Sequence, residues 1–287
     1  MIRRYHLGCP MWAHKLWLGE LYAPHTRSTD FLNEYASVFN SVEGNTTFYA
    51  APKPETVARW ADLAPEGFEF CFKFPKTVTH ERKLVDVKSE VLEFIALLEP
   101  LHDRLGPFFI GLPASFGPPL LGALSTFLSQ MPDHCRFAVE FRHPAFFGDL
   151  EDKANQLLTN AGADRIHFHT EPLLHLRTTN PEIVESQQNK PRVPYRDYAV
   201  GHHPFIRFVG PPNPADNEVH LDRWAHVAAG WIQEGREPYF FVHHPPSDVY
   251  APLLARFFHQ RLSELVDVGE MPAWPIDAAR TDQLSLF

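Results

Sequence analysis

Hydrophobic and polar residues alternate in several short stretches of this chain, and the alternation predicts β-strands. In the stretch 137–142, Phe137, Val139 and Phe141 would lie on one face of a strand, and Glu140 and Arg142 on the other. The same pattern recurs at 41–45, 68–74, 166–169 and 206–208. We predict that the apolar faces pack under helices and that the polar faces point into one shared interior. On the stretch 166–169, the inward-pointing residues would be His167 and His169.

Predicted strands and amphipathic helices follow one another along the chain. Repeated strand-helix units predict parallel strands, and eight units predict a single TIM-type (β/α)8 barrel of the α/β class. An open doubly wound sheet is the alternative, but Gly8-Cys-Pro-Met-Trp12 stands where such a sheet would carry a glycine-rich phosphate turn. The strands are predicted at 5–8, 41–43, 69–73, 108–112, 137–141, 166–169, 205–209 and 239–243, and the helices at 31–38, 54–61, 91–98, 120–130, 150–161, 224–232 and 253–265.

The connection between predicted strands 6 and 7 is unusually long. Residues 171–203 contain four prolines and a polar middle, which predicts a loop insertion. On a barrel this loop would lie over the carboxyl-end face, either as a lid or as a tolerated surface loop. We assign residues 1–268 to the barrel domain and residues 269–287 to a linker and a flexible C-terminal tail.

Composition and charge limit the partners that the chain can have. Lysine and arginine total 26 against 35 acidic residues, a net charge of −9, which leaves no extensive basic surface for nucleic acid. The three cysteines lack metal-type spacing and fit reduced thiols. Because the sequence shows neither a signal-peptide pattern nor an apolar run of about 18 residues, we expect a cytoplasmic protein without a membrane partner.

Charged residues fall at the predicted carboxyl ends of the strands, where barrels of this type carry their active sites. The carboxylates and a lysine could divide general acid and base work, and the arginines could bind an anionic substrate. Histidines could transfer protons, and Lys73 could instead form an imine with a carbonyl group. A structural ion-pair network is the alternative interpretation. The candidate catalytic residues are Glu43, Lys73, Glu140, Arg142, His143, Arg207 and His243, and the candidate ligand-binding residues are Trp12, Asn45, Thr47, Tyr49, His80, His167 and His169.

The seventeen histidines raise the question of a metal site. His167 and His169 share a strand face and, with Glu43, Glu140 or Asp164, could supply nitrogen and oxygen ligands. Adjacent histidine pairs point to opposite faces, however, and no His-Glu-x-x-His spacing occurs. We therefore assign no metal ligand and leave a divalent metal cofactor open. The sequence also lacks a Gly-x-Ser-x-Gly motif, which argues against a hydrolase triad.

Several blocks of the sequence match one family. They are Val42-Glu-Gly-Asn-Thr-Thr-Phe-Tyr49, Phe68-Glu-Phe-Cys-Phe-Lys-Phe-Pro75 with Thr79-His80, Leu112-Pro-Ala-Ser-Phe116 and Val139-Glu-Phe-Arg-His143, with Gly8, Trp17-Leu-Gly19, Tyr22 and Pro24 in the opening motif. In these blocks the chain resembles the YecE-like family, the domain of unknown function numbered 72. The resemblance covers about residues 5 to 265 and implies an eight-stranded barrel, while the activity of the family is not established.

The resemblance also implies which positions belong to the motifs of the family. These positions are Glu43, Asn45, Thr47, Tyr49, Lys73, His80, Glu140, Arg142, His143 and Arg207. The chain departs from the pattern at two places. Gly111 stands where the family usually has glutamine, and Val242-His-His-Pro245 stands where it has asparagines. The pocket of this chain is therefore expected to be specialised.

The last five residues, Gln283-Leu284-Ser285-Leu286-Phe287, form a motif of their own. They are similar to the peptide with which many bacterial replication and repair proteins bind the DNA polymerase sliding clamp. Gln283 would offer its amide, and the two leucines and Phe287 would fill an apolar groove. A tail that folds back onto the barrel is the alternative interpretation.

Together these features predict an enzyme, either a hydrolase of the phosphoesterase kind or an isomerase. Its ligand would be an anionic small molecule, phosphate-containing or nucleotide-like, and the sliding clamp would link it to DNA replication or repair. Two alternatives stay open. One is a sugar or sugar-phosphate isomerase or lyase, and the other is a non-catalytic adaptor that binds a ligand in the barrel.

Overall fold

The computed structural model describes residues 1–277, in which strands and helices alternate along the chain. The strands are β1 (His6–Gly8), β2 (Ser41–Gly44), β3 (Glu69–Phe72), β4 (Phe108–Gly111), β5 (Phe137–Glu140), β6 (Asp164–His169), β7 (Phe205–Val209) and β8 (Tyr239–His243). The helices are α1 (Phe31–Ala36), α2 (Pro54–Leu63), α3 (Lys88–Leu98), α4 (Leu121–Ser129), α5 (Glu151–Asn160), α6 (Glu171–Leu174), α7 (Pro181–Asn189), α8 (Glu218–Gln233) and α9 (Ala251–Ser263). Every strand pair is parallel, which confirms the predicted α/β class.

The strands form two sheets. Six of them pair in the order β1-β8-β7-β6-β5-β4, and the other two form the pair β2-β3. Isolated backbone hydrogen bonds cross the two seams. The Glu43 N–H donates to the Cys9 carbonyl at 3.1 Å, the Phe74 N–H to the Phe109 carbonyl at 3.0 Å, and the Gly106 N–H to the Phe70 carbonyl at 3.0 Å. The predicted closure into one continuous ladder of eight strands is therefore not observed, because the ladder is interrupted at both seams.

Side chains explain the interruption between β1 and β2. The Leu7 N–H donates to the Asn40 side-chain oxygen at 2.8 Å, and the Cys9 N–H donates to the Tyr35 hydroxyl at 2.7 Å. The Asn40 amide donates in turn to the Tyr5 carbonyl at 2.8 Å. Side chains thus provide the hydrogen bonds that backbone groups of β1 would otherwise make to a neighbouring strand.

The strands carry apolar residues on both faces. Phe137 and Val139 on the outer face of β5 belong to the main core under the helices, as do Ile206 and Phe208 on β7. These two face assignments agree with the prediction. A second cluster fills the interior between the strands and consists of Cys71, Phe109, Ala138, Ile166, Phe205, Tyr239 and Phe241. The interior is therefore a packed core toward the amino ends, and the charged groups lie above it.

Strand β6 has the opposite orientation to the one predicted. His167 points outward, where its Nε2 binds the Tyr198 carbonyl at 2.6 Å, and His169 accepts a hydrogen bond from Trp224 Nε1 at 2.9 Å. Ile166 and Phe168 point inward instead. All six residues of β6 are buried, so alternation alone could not distinguish its two faces.

The long connection after β6 is a packed structure. It contains α6 and α7, so the stretch predicted as a loop is partly helical; that it is an insertion stays a prediction. A small apolar cluster formed by Phe168, Leu173, Ile183, Val193 and Val209 fixes the connection to the barrel. Arg196 in the same connection binds both carboxylate oxygens of Glu151 on α5, at 2.6 and 2.8 Å.

The segment after α9 also packs on the barrel. Trp274 and Ile276 are buried, and the Ile276 N–H donates to the Leu21 carbonyl at 3.3 Å. The barrel domain was predicted to end at Val268, and the packing continues beyond that residue. The clamp-like peptide predicted at 283–287 lies outside the described residues. Within residues 1–277, every helix is too short or too polar to cross a membrane.

Gly8 is expected to be essential for the seam between β1 and β2. A Cβ atom here would overlap the Ser41 carbonyl and lie 2.8 Å from the Tyr35 hydroxyl. We expect Gly8→Ala to lower the free energy of unfolding by about 2 kcal/mol or more, measured by urea denaturation. Gly230→Ala on α8 is the matched control: nothing lies within 4 Å, so it should stabilise by up to about 1 kcal/mol. Equal stability of both variants would contradict the close approach.

Candidate functional site

The carboxyl ends of five strands bring the predicted catalytic residues together. Glu43 lies on β2, Glu140 on β5, Arg207 on β7 and His243 on β8, and Lys73 follows β3 directly. All five side chains are buried or nearly so. Arg142 lies two residues beyond Glu140 and joins the cluster, with 21% of its side chain exposed. The structure thus confirms that residues distant in sequence converge at one end of the strands.

Arg207 is the centre of this cluster. Its Nε and Nη2 donate to the two oxygens of Glu43 at 2.8 Å each, and its Nη1 donates to Glu140 at 2.5 Å. The other oxygen of Glu140 accepts from Arg142 Nε at 2.6 Å. Such bidentate, charge-assisted pairs are strong and fix the planes of their partners. The guanidinium group therefore has a fixed orientation.

Glu43 has two further partners. The Asn45 amide donates to one of its oxygens at 2.6 Å, and His243 Nε2 lies 3.1 Å from the other. Burial alone would raise the pKa of both glutamates, but neighbouring positive charges overcome that effect. Arg207 and His243 hold the pKa of Glu43 well below its usual value, and Arg142, Arg207 and Lys73 lower that of Glu140 to about 2. Both carboxylates are ionised at neutral pH.

Aromatic rings line the space around the cations. The Arg207 guanidinium lies 4.2 Å from the centre of the Phe168 ring and 4.7 Å from that of Phe109. Lys73 Nζ lies 4.8 Å from the Phe109 ring and 4.3 Å from the ring of Phe48. Cations are attracted to ring faces at such distances, so the aromatic rings replace part of the water that the charges lose.

A cavity of about 660 Å³ opens above this cluster. It is lined by predicted residues, namely Asn45, Tyr49, Lys73, His80, Arg142, Arg207 and His243. Tyr49 is 83% exposed at the rim. Burial, together with Arg142 and Lys73, lowers the pKa of His80 to about 4, so that its ring is neutral at physiological pH. The volume suits a small organic ligand.

The cavity also contains residues that the sequence analysis did not single out. Lys190 at the end of α7 lies 5.8 Å from the Phe168 ring, and burial followed by Arg207 lowers its pKa. Lys76 and Asp248 complete the charged lining. The sequence did offer one indication of Lys190, namely that it lies in the connection after β6. Loops at the carboxyl ends of the strands build the sites of such barrels. Which residue of that connection reaches the cavity depends on its packing.

Five predicted site residues lie away from the cavity. The Thr47 hydroxyl donates to the Lys73 carbonyl at 2.6 Å and so binds the backbone that follows β3. His143 accepts from the Ala145 N–H at 3.2 Å and packs near Phe146. These residues, together with Trp12, His167 and His169, are outside the lining because they contact the helices or the backbone.

A group with metal-ligand spacing occurs at the opposite end of the strands. His202 and His203 precede β7, and Glu237 precedes β8; one ligand atom from each lies within 4.8 Å of the others. Within residues 1–277, the structure brings no other three potential metal ligands this close together. The metal interpretation based on His167 and His169 fails, because both point outward, away from Glu43 and Glu140.

The family described as "Protein of unknown function DUF72" matches residues 6–275. The chain belongs to this family. Over 284 residues it is 36% identical to the UPF0759 protein YecE of Escherichia coli (strain K12), a match that covers 98% of this chain and 99% of that protein. The YecE protein of Escherichia coli O157:H7 is 35% identical over the same length.

Two crystal structures of DUF72 family proteins share the fold. The protein from Thermotoga maritima MSB8 gives a TM-score of 0.70 at 22% identity, over 90% of this chain and 99% of that one. The protein from Enterococcus faecalis V583 gives 0.69 at 16% identity, over 94% and 99%. At these identities the similarity establishes the fold alone, so the chemistry must be argued from the residues of this chain.

The Glu140 carboxylate makes stability depend on pH. Because its pKa falls from 4.5 to about 2 on folding, its contribution is present above pH 4.5 and is lost as the pH falls toward 2. We expect the free energy of unfolding of the native protein to drop across this interval, with about 3 kcal/mol due to Glu140. Urea denaturation of Glu140→Gln at each pH should show a smaller drop. The exposed Glu20→Gln serves as control and should match the native slope; an equal slope in both variants contradicts the assignment.

Proposed function

We propose that the cavity binds an anionic, phosphate-containing small molecule and that the protein is an enzyme acting on it. The observation that carries this proposal is the charge balance of the site. Glu43 and Glu140 are directed at Arg207 and Arg142, so their negative charges are used within the cluster. The described cavity lining presents five basic residues, Lys73, Lys76, Arg142, Lys190 and Arg207, so that five positive charges face three negative ones when Asp248 and the two glutamates are counted together.

The shape and size of the cavity support the same ligand class. A volume of about 660 Å³ would hold a sugar phosphate or a nucleotide. Lys190 and Arg142 both line the cavity and both lie near the Phe168 ring, at 5.8 and 6.0 Å from its centre. A phosphate group between cations of this kind gains charge-assisted hydrogen bonds in a partly dehydrated site.

The network also suggests how the chemical work is divided. Glu140 is ionised and has both oxygens bound, so it acts as a counter-ion that orients the two arginines. Proton transfer near neutral pH suits Lys73, whose pKa burial and Arg207 lower to about 8. His243, bound to Glu43, lies at the same cavity and is the second candidate for moving a proton.

Substitution of Lys190 tests the anion site. We expect Lys190→Met to raise the Kd for inorganic phosphate, measured by calorimetric titration, by about tenfold or more, because a charge-assisted hydrogen bond is lost. Lys153→Met on α5 removes an exposed lysine outside the cavity and should leave the Kd unchanged. Equal binding by both variants, or no phosphate binding by the native protein, would overturn the proposal.

A second measurement separates an enzyme from a ligand-binding adaptor. The native protein is incubated with phosphorylated sugars and with nucleotides, and the products are followed by mass spectrometry. Turnover that is lost in Arg142→Met supports an enzyme. Saturable binding of these compounds without any product would instead support the adaptor alternative.

We also propose that the chain binds the bacterial sliding clamp through residues 283–287. The support is the terminal sequence Gln-Leu-Ser-Leu-Phe, which follows a proline-containing segment. Tethering to the clamp would raise the effective concentration near DNA to about the millimolar range without a basic surface. This fits a chain with a net charge of −9.

The clamp proposal has a direct test. We expect the native chain to be retained on an immobilised bacterial sliding clamp and a double variant, Leu286→Ala with Phe287→Ala, to lose at least about tenfold in affinity, because the apolar anchors are removed. Ser285→Ala in the same peptide is the control and should bind as the native chain does. Failure of the native chain to bind would remove the link to replication and repair.

A further inference from the structure

Lys73 differs from the two arginines of the site because its charge is not paired with a carboxylate within residues 1–277. Its Nζ is enclosed by the Phe48 and Phe109 rings, at 4.3 and 4.8 Å from their centres, and the residue is 8% exposed. Within residues 1–277 this atom makes neither a hydrogen bond nor an ion pair, whereas Arg207 and Arg142 are bound to carboxylates. A buried ammonium group without a partner is costly, so the environment destabilises the charged form of Lys73.

The neighbouring arginine acts in the same direction. Burial and the adjacent Arg207 lower the pKa of Lys73 to about 8, although Glu140 opposes the shift. An appreciable fraction of the amine is therefore unprotonated near neutral pH. A lysine that is desolvated and lies close to another cation is an activated nucleophile.

Gly111 lies directly beside this amine and has no side chain that would crowd it. A Cβ atom on Gly111 would lie 3.0 Å from Lys73 Cε and 3.5 Å from its Nζ. Any larger residue at the end of β4 would therefore crowd the amine. Lys73 also lines the cavity, from which a small reacting group can reach its amine.

We propose that Lys73 forms an imine with a phosphorylated aldehyde or ketone whose phosphate group is bound by Arg142 and Lys190. The inference rests on the proposed function, because it places the anionic end of the ligand at the same cations. It specifies the substrate class as a carbonyl compound and thereby favours the sugar-phosphate lyase or isomerase alternative over a phosphoesterase. In this role Lys73 is a catalytic residue, and Gly111 is a positioning residue.

The step is redox-neutral and balanced. The Nζ lone pair attacks the carbonyl carbon, a C–N bond forms, and the oxygen takes one proton from the nitrogen to give a carbinolamine. The hydroxyl group then leaves with the second N–H proton as water, and a C=N bond remains. Borohydride supplied in the experiment delivers a hydride to this carbon and converts the imine into a stable secondary amine.

The test is reductive trapping with two probes. The native protein is treated with glyceraldehyde 3-phosphate or with uncharged glyceraldehyde, then with borohydride, and labelling is quantified for each lysine by peptide mass spectrometry. Lys76 is the internal control: it lies three residues away at the same cavity but is 57% exposed and pairs with Glu81 at 3.7 Å. We expect saturable labelling of Lys73 by the phosphorylated probe, at least about tenfold above Lys76.

Two variants separate the parts of the inference. Lys190→Met should reduce labelling of Lys73 by the phosphorylated probe and leave labelling by glyceraldehyde unchanged. Gly111→Ala should reduce labelling by both probes while the Kd for inorganic phosphate stays at its native value. Native-like labelling of Gly111→Ala would overturn the role of Gly111. The Gly122→Ala variant on α4, where nothing lies within 4 Å, is the matched control.

The outcomes distinguish this inference from the proposed function. If inorganic phosphate binds but Lys73 is labelled no more than Lys76, the imine is excluded and the anion site stands. If both probes label Lys73 equally and phosphate does not bind, the reactive lysine stands and the anion site fails. Preference for the phosphorylated probe, lost in Lys190→Met, supports both.

Discussion

The structure depends on the interaction of Arg207 with two buried glutamates. Arg207 belongs to the six-stranded sheet, and Glu43 belongs to the two-stranded sheet, so their double hydrogen bond joins the sheets across the interior. Glu140 completes the arrangement from β5. A buried charge without a partner costs several kcal/mol, so each glutamate requires Arg207 and Arg207 requires the glutamates. The side chains thus connect what the interrupted backbone ladder leaves separate.

The same interaction determines what remains available for a ligand. Because the glutamates neutralise the arginines, the charge that faces the cavity comes mainly from lysines. Lys73 and Lys190 occupy different surroundings: Lys73 lies between two aromatic rings, and Lys190 comes from the connection after β6. One site can therefore contain an orienting network, an anion-binding group and an amine of lowered pKa. This division of roles is what an enzyme acting on an anionic carbonyl compound requires.

Membership of the DUF72 family and the full-length similarity to YecE agree with this architecture. Since the family is described as one of unknown function, the functional argument depends on the contacts within this chain. The most informative of them involve Gly111, which pairs with Glu140 in the register of β4 and β5, and Lys190, which comes from the connection after β6. In barrels of this kind the strands form the rigid base of the site, and the connections at their carboxyl ends add the side chains that determine ligand specificity.

The alternation of residues along the chain determined the strands and the convergence of the charged residues, because a period of two separates the faces of β5 and β7. The succession of strands and helices determined the parallel arrangement. Tertiary structure decided the rest. The direction of β6 depended on packing, since both of its faces are buried. The seam at β1 depended on the side chain of Asn40, which replaces a strand neighbour. The contact of Lys190 with the cavity and the surroundings of Lys73 depended on segments far away in sequence, because residues distant along the chain bury these side chains and supply the neighbouring charges.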